Sequence, residues 1–107
     1  MKIKSGVNPF GVRNEITIAL LVADGVWRDN GQELVVTSLN DSKHSRESLH
    51  YAGAAADLRT RYFSNPESVA QQLREALGNN PDYDVVVEKD HIHLEHQPKY
   101  RSLPKET

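Results

Sequence analysis

Residues 65–95 read NPESVAQQLREALGNNPDYDVVVEKDHIHLE, and the reading of this stretch decides the fold class. Asn65 is a good helix N-cap with Pro66 at the first helical position. Val69, Ala70, Leu73, Ala76 and Leu77 recur at three- and four-residue spacing as a buried stripe, and Gly78 supplies the stop. Asn79-Asn80-Pro81-Asp82 is a turn, after which Tyr83 to Val87 and His91 to Glu95 read as two strands joined through Glu88-Lys89-Asp90. That pair is a hairpin, and a helix running straight into it predicts an α+β domain.

Working back toward the N-terminus, a second apolar stripe runs from Asn14 to about Arg28, with Ile16, Ala19, Leu20, Ala23, Val26 and Trp27 on one helical face. Asp29-Asn30-Gly31 ends it. Glu33 to Leu39, rich in β-branched residues at Val35, Val36 and Thr37, predicts a strand with a buried face. A polar loop follows through Asn40-Asp41-Ser42-Lys43. The small-residue run Gly53-Ala54-Ala55-Ala56 then leads into a second strand over Asp57 to Tyr62. Helix, strand, strand, helix and hairpin suggest a small, mostly antiparallel sheet with helices packed on one face. Residues 1–97 form the expected single domain; from Gln97 onward apolar content is too low to pack, and 98–107 read as a flexible tail.

The 107-residue length suits one domain with one core. Apolar residues make up 37% and charged residues 26% of the chain, without the imbalance that marks disorder. A net charge of −2 and no Lys/Arg cluster argue against nucleic acid as principal partner, since phosphate neutralisation needs several cations on one face. Cysteine is absent, so a metal would have to sit on His and carboxylates, and no thiolate nucleophile is available. MKIKSGVNPFGVRNE lacks the continuous apolar stretch of a signal peptide, and the run Ile16 to Ala23 falls far short of the roughly 20 residues that span a bilayer. The expectation is a monomer made in the cytoplasm and not inserted in a membrane.

Catalytic zinc usually takes three protein ligands from His and carboxylate and leaves a fourth position for water. His50 lies just before the Gly/Ala run and Asp57 just after it, with Gly53 able to bend the chain between them. Small side chains at Ala52, Ala54, Ala55 and Ala56 would let backbone and substrate approach a metal closely. His91 and His93 fall on one face of a strand, with Ile92 and Leu94 on the opposite, core-facing side. Each residue alone more often packs, caps or meets solvent, and the joint pattern carries the argument.

That pattern, Ser48-x-His50-x-x-Gly53-x-Ala55-x-Asp57 followed by Asp90-x-x-His93, resembles the signature of one metallopeptidase superfamily. It unites D-alanyl-D-alanine carboxypeptidases and dipeptidases, phage L-alanyl-D-glutamate endolysins and the hedgehog signalling domain. His44-Ser45-Arg46-Glu47-Ser48-Leu49-His50-Tyr51-Ala52-Gly53 looks like the hedgehog metal loop and His91-Ile92-His93 like its second metal segment. The resemblance extends over about Val12 to Gln97.

The resemblance implies one Zn²⁺ ion on His50, Asp57 and His93, and hydrolysis of D-Ala-D-Ala or L-Ala-D-Glu bonds in peptidoglycan stem peptides. Asp90 matches the enzymes' carboxylate three residues before the last zinc histidine, which hedgehog domains lack at that spacing; Glu88 is its rival as general base. His91 joins Asp90 as a candidate catalytic group. His44 is a candidate for oxyanion stabilisation. Ser48 resembles a substrate-contacting serine, and Arg46, Arg59 and Arg61 are candidates to bind a substrate carboxylate. Only Asp41 and Glu47 stand where hedgehog domains gather acidic residues for calcium, so no calcium site is expected. Glu95 and His96 read as surface residues. Action on a cell wall would require delivery by another route, such as phage lysis or a phage tail. The alternative is a catalytically inert, hedgehog-like zinc domain acting as a binding or structural module, for instance in a phage particle.

Overall fold

A computed structural model describes residues 1–7, 12–40 and 54–98. Its elements run β1 (Lys2–Ile3), α1 (Asn14–Asp29), β2 (Val35–Asn40), β3 (Ala55–Arg59), α2 (Pro66–Ala76), β4 (Tyr83–Val87) and β5 (His91–His96). The predicted stripe of α1 is the buried one: Ile16, Ala19, Leu20, Ala23, Val26 and Trp27 all face inward. Glu15 in the first turn and Arg28 in the last suit the helix dipole. Asn30 closes the helix by donating from its side-chain amide to the Val26 carbonyl at 2.8 Å.

In α2 the Asn65 side chain accepts from the Ser68 backbone N–H at 3.2 Å, and Val69, Ala70 and Leu73 are buried. Leu77 is only partly buried against the core, and Ala76 is exposed. The helix packs over β4, the edge of the sheet, and the stripe runs out there before its expected end. Gly78, at φ +75°, turns the chain away.

The five strands form one mixed sheet in the order β1-β2-β3-β5-β4. β1 is parallel to β2, and the other three pairs are antiparallel. Strand alternation sorts the side chains into two faces. Val36, Ala56, Leu58, Val85, Ile92 and Leu94 join the inward stripes of both helices in one apolar cluster. The opposite face carries Asp57, Arg59, His91, His93 and Glu95, which the register sets across from one another as Asp57 with His93 and Arg59 with His91. This is the predicted α+β arrangement, with the helices against one side of the sheet.

Three local expectations differ. β3 starts at Ala55 and stops at Arg59, opposite the first residue of β5. Thr60 donates to the Asp90 carbonyl at 3.2 Å, and Arg61 and Tyr62 beyond it are exposed. Ala54, Ala55 and Ala56 are thus packed positions, at 0%, 1% and 1% exposure. His96 is buried, because it continues the inward phase of Ile92 and Leu94; its ring lies 5.0 Å from that of Tyr83. Glu95, one residue earlier, lies on the polar face and is half-buried.

β2 contains an irregularity. Val36 pairs with Leu58, yet Ser38 pairs with the very next residue back, Asp57, so Thr37 is an extra residue in the ladder. The bulge restores the phase that sets Ser38 beside Asp57 and Leu39 beside Ala56. Among the described residues no helix is long and apolar enough to cross a membrane.

Candidate metal centre

The site is built on β3 and β5. Because the inward residues Leu58, Ile92 and Leu94 are each fully buried, both strands are locked in phase, and slipping either by one residue would turn its apolar set to solvent. Asp57, His91, His93 and Glu95 are thereby forced onto the open face. Arg59 is anchored from the core side, where the Trp27 indole N–H donates to its carbonyl at 3.0 Å.

On that face the side chains form a line of alternating carboxylates and imidazoles. Asp90 Oδ1 is 2.8 Å from His91 Nδ1, and His91 Nε2 is 3.6 Å from Asp57 Oδ1, an ion-pair distance rather than a hydrogen bond. The same Asp57 oxygen lies 2.9 Å from His93 Nδ1, and His93 Nε2 lies 3.0 Å from Glu95 Oε1. Burial disfavours the charged form of His93, but hydrogen bonds and charge from Asp57 and Glu95 outweigh it and lift the pKa above 6.5. The bond from His91 holds the Asp90 carboxyl below the ordinary carboxylate range.

Beside this line lies an open groove of about 530 Å³, lined by Asp57, Asp90 and His91 together with Thr37, Ser38, Lys4, Arg59 and Arg61. Arg61 also lies over the Tyr62 ring, 5.5 Å from its centroid. The groove therefore joins an acid–imidazole centre to three cationic side chains.

The predicted ligands divide. Asp57 and His93, 36 positions apart in sequence, are brought together as direct cross-strand partners. His50 falls outside the described residues, as do His44, Arg46 and Ser48. Among the described residues no group of three or more His, Asp or Glu side chains could hold a metal ion; two adjacent donors of the kinds zinc takes are present, an imidazole nitrogen and a carboxylate oxygen. Asp90 leans on His91 and its side chain is 78% exposed. Glu88, its rival, is exposed as well.

Glu95 and Lys4 belong to this surface and were not expected there. Glu95 had a signal in sequence, since His93-x-Glu95 places both on one strand face. Lys4 had none, because only the pairing of β1 with β2 brings it near. Compared with protein-family models, curated proteins and solved structures, the chain finds no match in any of the three.

Proposed function

We propose that this chain is a zinc-dependent peptidase that hydrolyses peptide bonds in the stem peptides of bacterial peptidoglycan, at D-Ala-D-Ala or L-Ala-D-Glu linkages. The observation that carries the reading is the direct pairing of Asp57 with His93 beside His91 and Asp90, at the edge of an open groove. Asp57 and His93 would hold the ion with His50. A bound zinc supplies Lewis-acid polarisation of the scissile carbonyl and lowers the pKa of water toward neutrality.

The chain's own groups account for the rest. Asp90, its carboxyl kept ionised by the bond from His91, takes a proton from the attacking water and delivers it to the leaving amine. Its hydrogen bond to His91 ties Asp90 to the ligand strand. Lys4, Arg59 and Arg61 line the groove and offer partners to a substrate carboxylate, which stem peptides carry. His44 would stabilise the oxyanion, by resemblance.

Zinc-loaded protein incubated with purified sacculi should release new muropeptides, and Asp90→Ala should abolish their release. Full zinc occupancy without any cleavage would sink the proposal. One observation favours a second reading, an inert zinc domain that serves as a binding or structural module: Asp90 is mostly exposed and its oxygen is engaged by His91. In that case chelation lowers the melting temperature while Asp90→Ala leaves biological function intact.

A further inference from the structure

β4 is an outer edge of the sheet, paired on one side only, with β5. Glu88 donates to the His91 carbonyl at 2.8 Å and Gln97 to the Asp82 carbonyl at 2.7 Å. By the alternation of an antiparallel ladder, Asp84 and Val86 therefore also bond to β5, while Tyr83, Val85 and Val87 turn their backbone groups outward. The Tyr83 N–H donates to the Asn80 carbonyl at 3.1 Å, and Arg74 Nη2 donates to the Val85 carbonyl at 2.6 Å. Among the described residues, the Val85 N–H and both backbone groups of Val87 meet no hydrogen-bond partner. Such an edge is a template for another strand, and no Pro, Gly or Lys interrupts Tyr83–Val87 to blunt it.

The side chains select what can pair there. Val86 is 45% exposed on the open face of the sheet, with Asp84 before it and Glu88 after it in the same phase. Toward α2, a pocket of about 250 Å³ is lined by Arg74, Leu77, Pro81, Tyr83 and Val85. A second copy fits this edge poorly. Antiparallel pairing about Val85 sets Asp82 of one copy opposite Glu88 of the other, pairing about Val86 sets Asp84 opposite Glu88, and pairing about Val87 sets Asp84 opposite Asp90. Like charges directly opposite are destabilising. We infer that the β4 edge captures an extended peptide of a partner protein by strand addition, with Lys or Arg facing Asp84 and Glu88 and an apolar residue between them on Val86. Main-chain bonds to Val85 and Val87 hold the peptide, and the alternate side chains give selectivity. A residue on the peptide's other face enters the pocket beside Val85. No metal takes part, and the proposal does not rest on the peptidase reading.

The test uses the full chain and two capped synthetic peptides, TKTVTKT and its acidic counterpart TETVTET. Affinity is measured by NMR titration at low salt, and protection by amide hydrogen exchange. The basic peptide should bind about tenfold more tightly than the acidic one, because two cross-strand pairs change from attraction to repulsion. Its binding should shift the Val85 and Val87 amides and slow their exchange. Val87→Pro removes an outward N–H without touching the bonds to β5 and should weaken binding, while Asp84→Lys should narrow or reverse the preference between the peptides. No binding of TKTVTKT, equal affinity for both peptides, or shifts that spare Val85 and Val87 would overturn the proposal. So would a concentration-dependent dimer in sedimentation that protects the same two amides without peptide, since the edge would then belong to a second copy. Circular dichroism checks the fold of each variant; if Val87→Pro unfolds, Asp84→Lys and the exchange of the two amides decide.

Discussion

The Trp27 indole ties the helical layer to the strand that carries Asp57 and Arg59, and replacing it with phenylalanine should cost about 1.5–2.5 kcal/mol. Two effects add. The indole N–H bond to the Arg59 carbonyl at 3.0 Å is worth about 0.5–1.5 kcal/mol net, more if the carbonyl is left dry. The ring is 1% exposed, so the smaller phenyl leaves roughly 40 Å³ empty, which at about 24 cal/mol per Å³ adds about 1 kcal/mol. The edge-to-face contact with Phe63, at 5.5 Å between centroids, is retained in altered form by a second phenyl and is left out of the sum. Urea unfolding followed by far-ultraviolet circular dichroism gives the difference directly, since the substitution removes the only tryptophan. The slope should stay constant while the midpoint falls. Phe63→Leu serves as the control that removes the ring contact and keeps the hydrogen bond. A loss below about 0.5 kcal/mol in Trp27→Phe would show that neither the bond nor the packing contributes as argued.

Asn65→Ala removes the N-cap of α2 and should destabilise by about 1 kcal/mol, read from the same urea titration. In metal-free protein, the raised pKa of His93 means that its protonated form is held more tightly in the fold than in the unfolded chain. Its stabilising contribution is complete below the unfolded value of 6.5 and disappears as pH rises through the folded value. Melting temperatures should therefore fall across that window relative to a His93→Gln variant, and parallel curves would contradict the assignment. Zinc at about 100 times its Kd should stabilise the protein by about 2.7 kcal/mol. Chelation should reverse the gain, and Asp57→Ala should abolish it, as measured by thermal unfolding.

The helices were legible because each carries a long stripe and its own stop signal: six inward residues in α1, and Asn65 with Gly78 bracketing α2. The hairpin was legible for the same reason, and with it the placement of His91 and His93 on one face. β1 was not, since two residues cannot show a period and its place depends on β2. His96 was misread as surface because a polar residue type outweighed the inward phase that Ile92 and Leu94 had already set. For the candidate site, the meeting of Asp57 with His93 was anticipated, whereas Lys4 reaches the groove through tertiary pairing alone.

The extra residue in β2 separates two properties that usually change together. Thr37 stands between two correctly phased segments, so deleting it would leave Val36 and Leu39 facing the helices and Ser38 beside Asp57. The hydrophobic interior would keep its composition, while the strand would lose the added twist that such an insertion brings. Since Thr37 and Ser38 line the groove, its contour can be remodelled by shortening the chain at one point without trading away the interior that keeps the molecule folded.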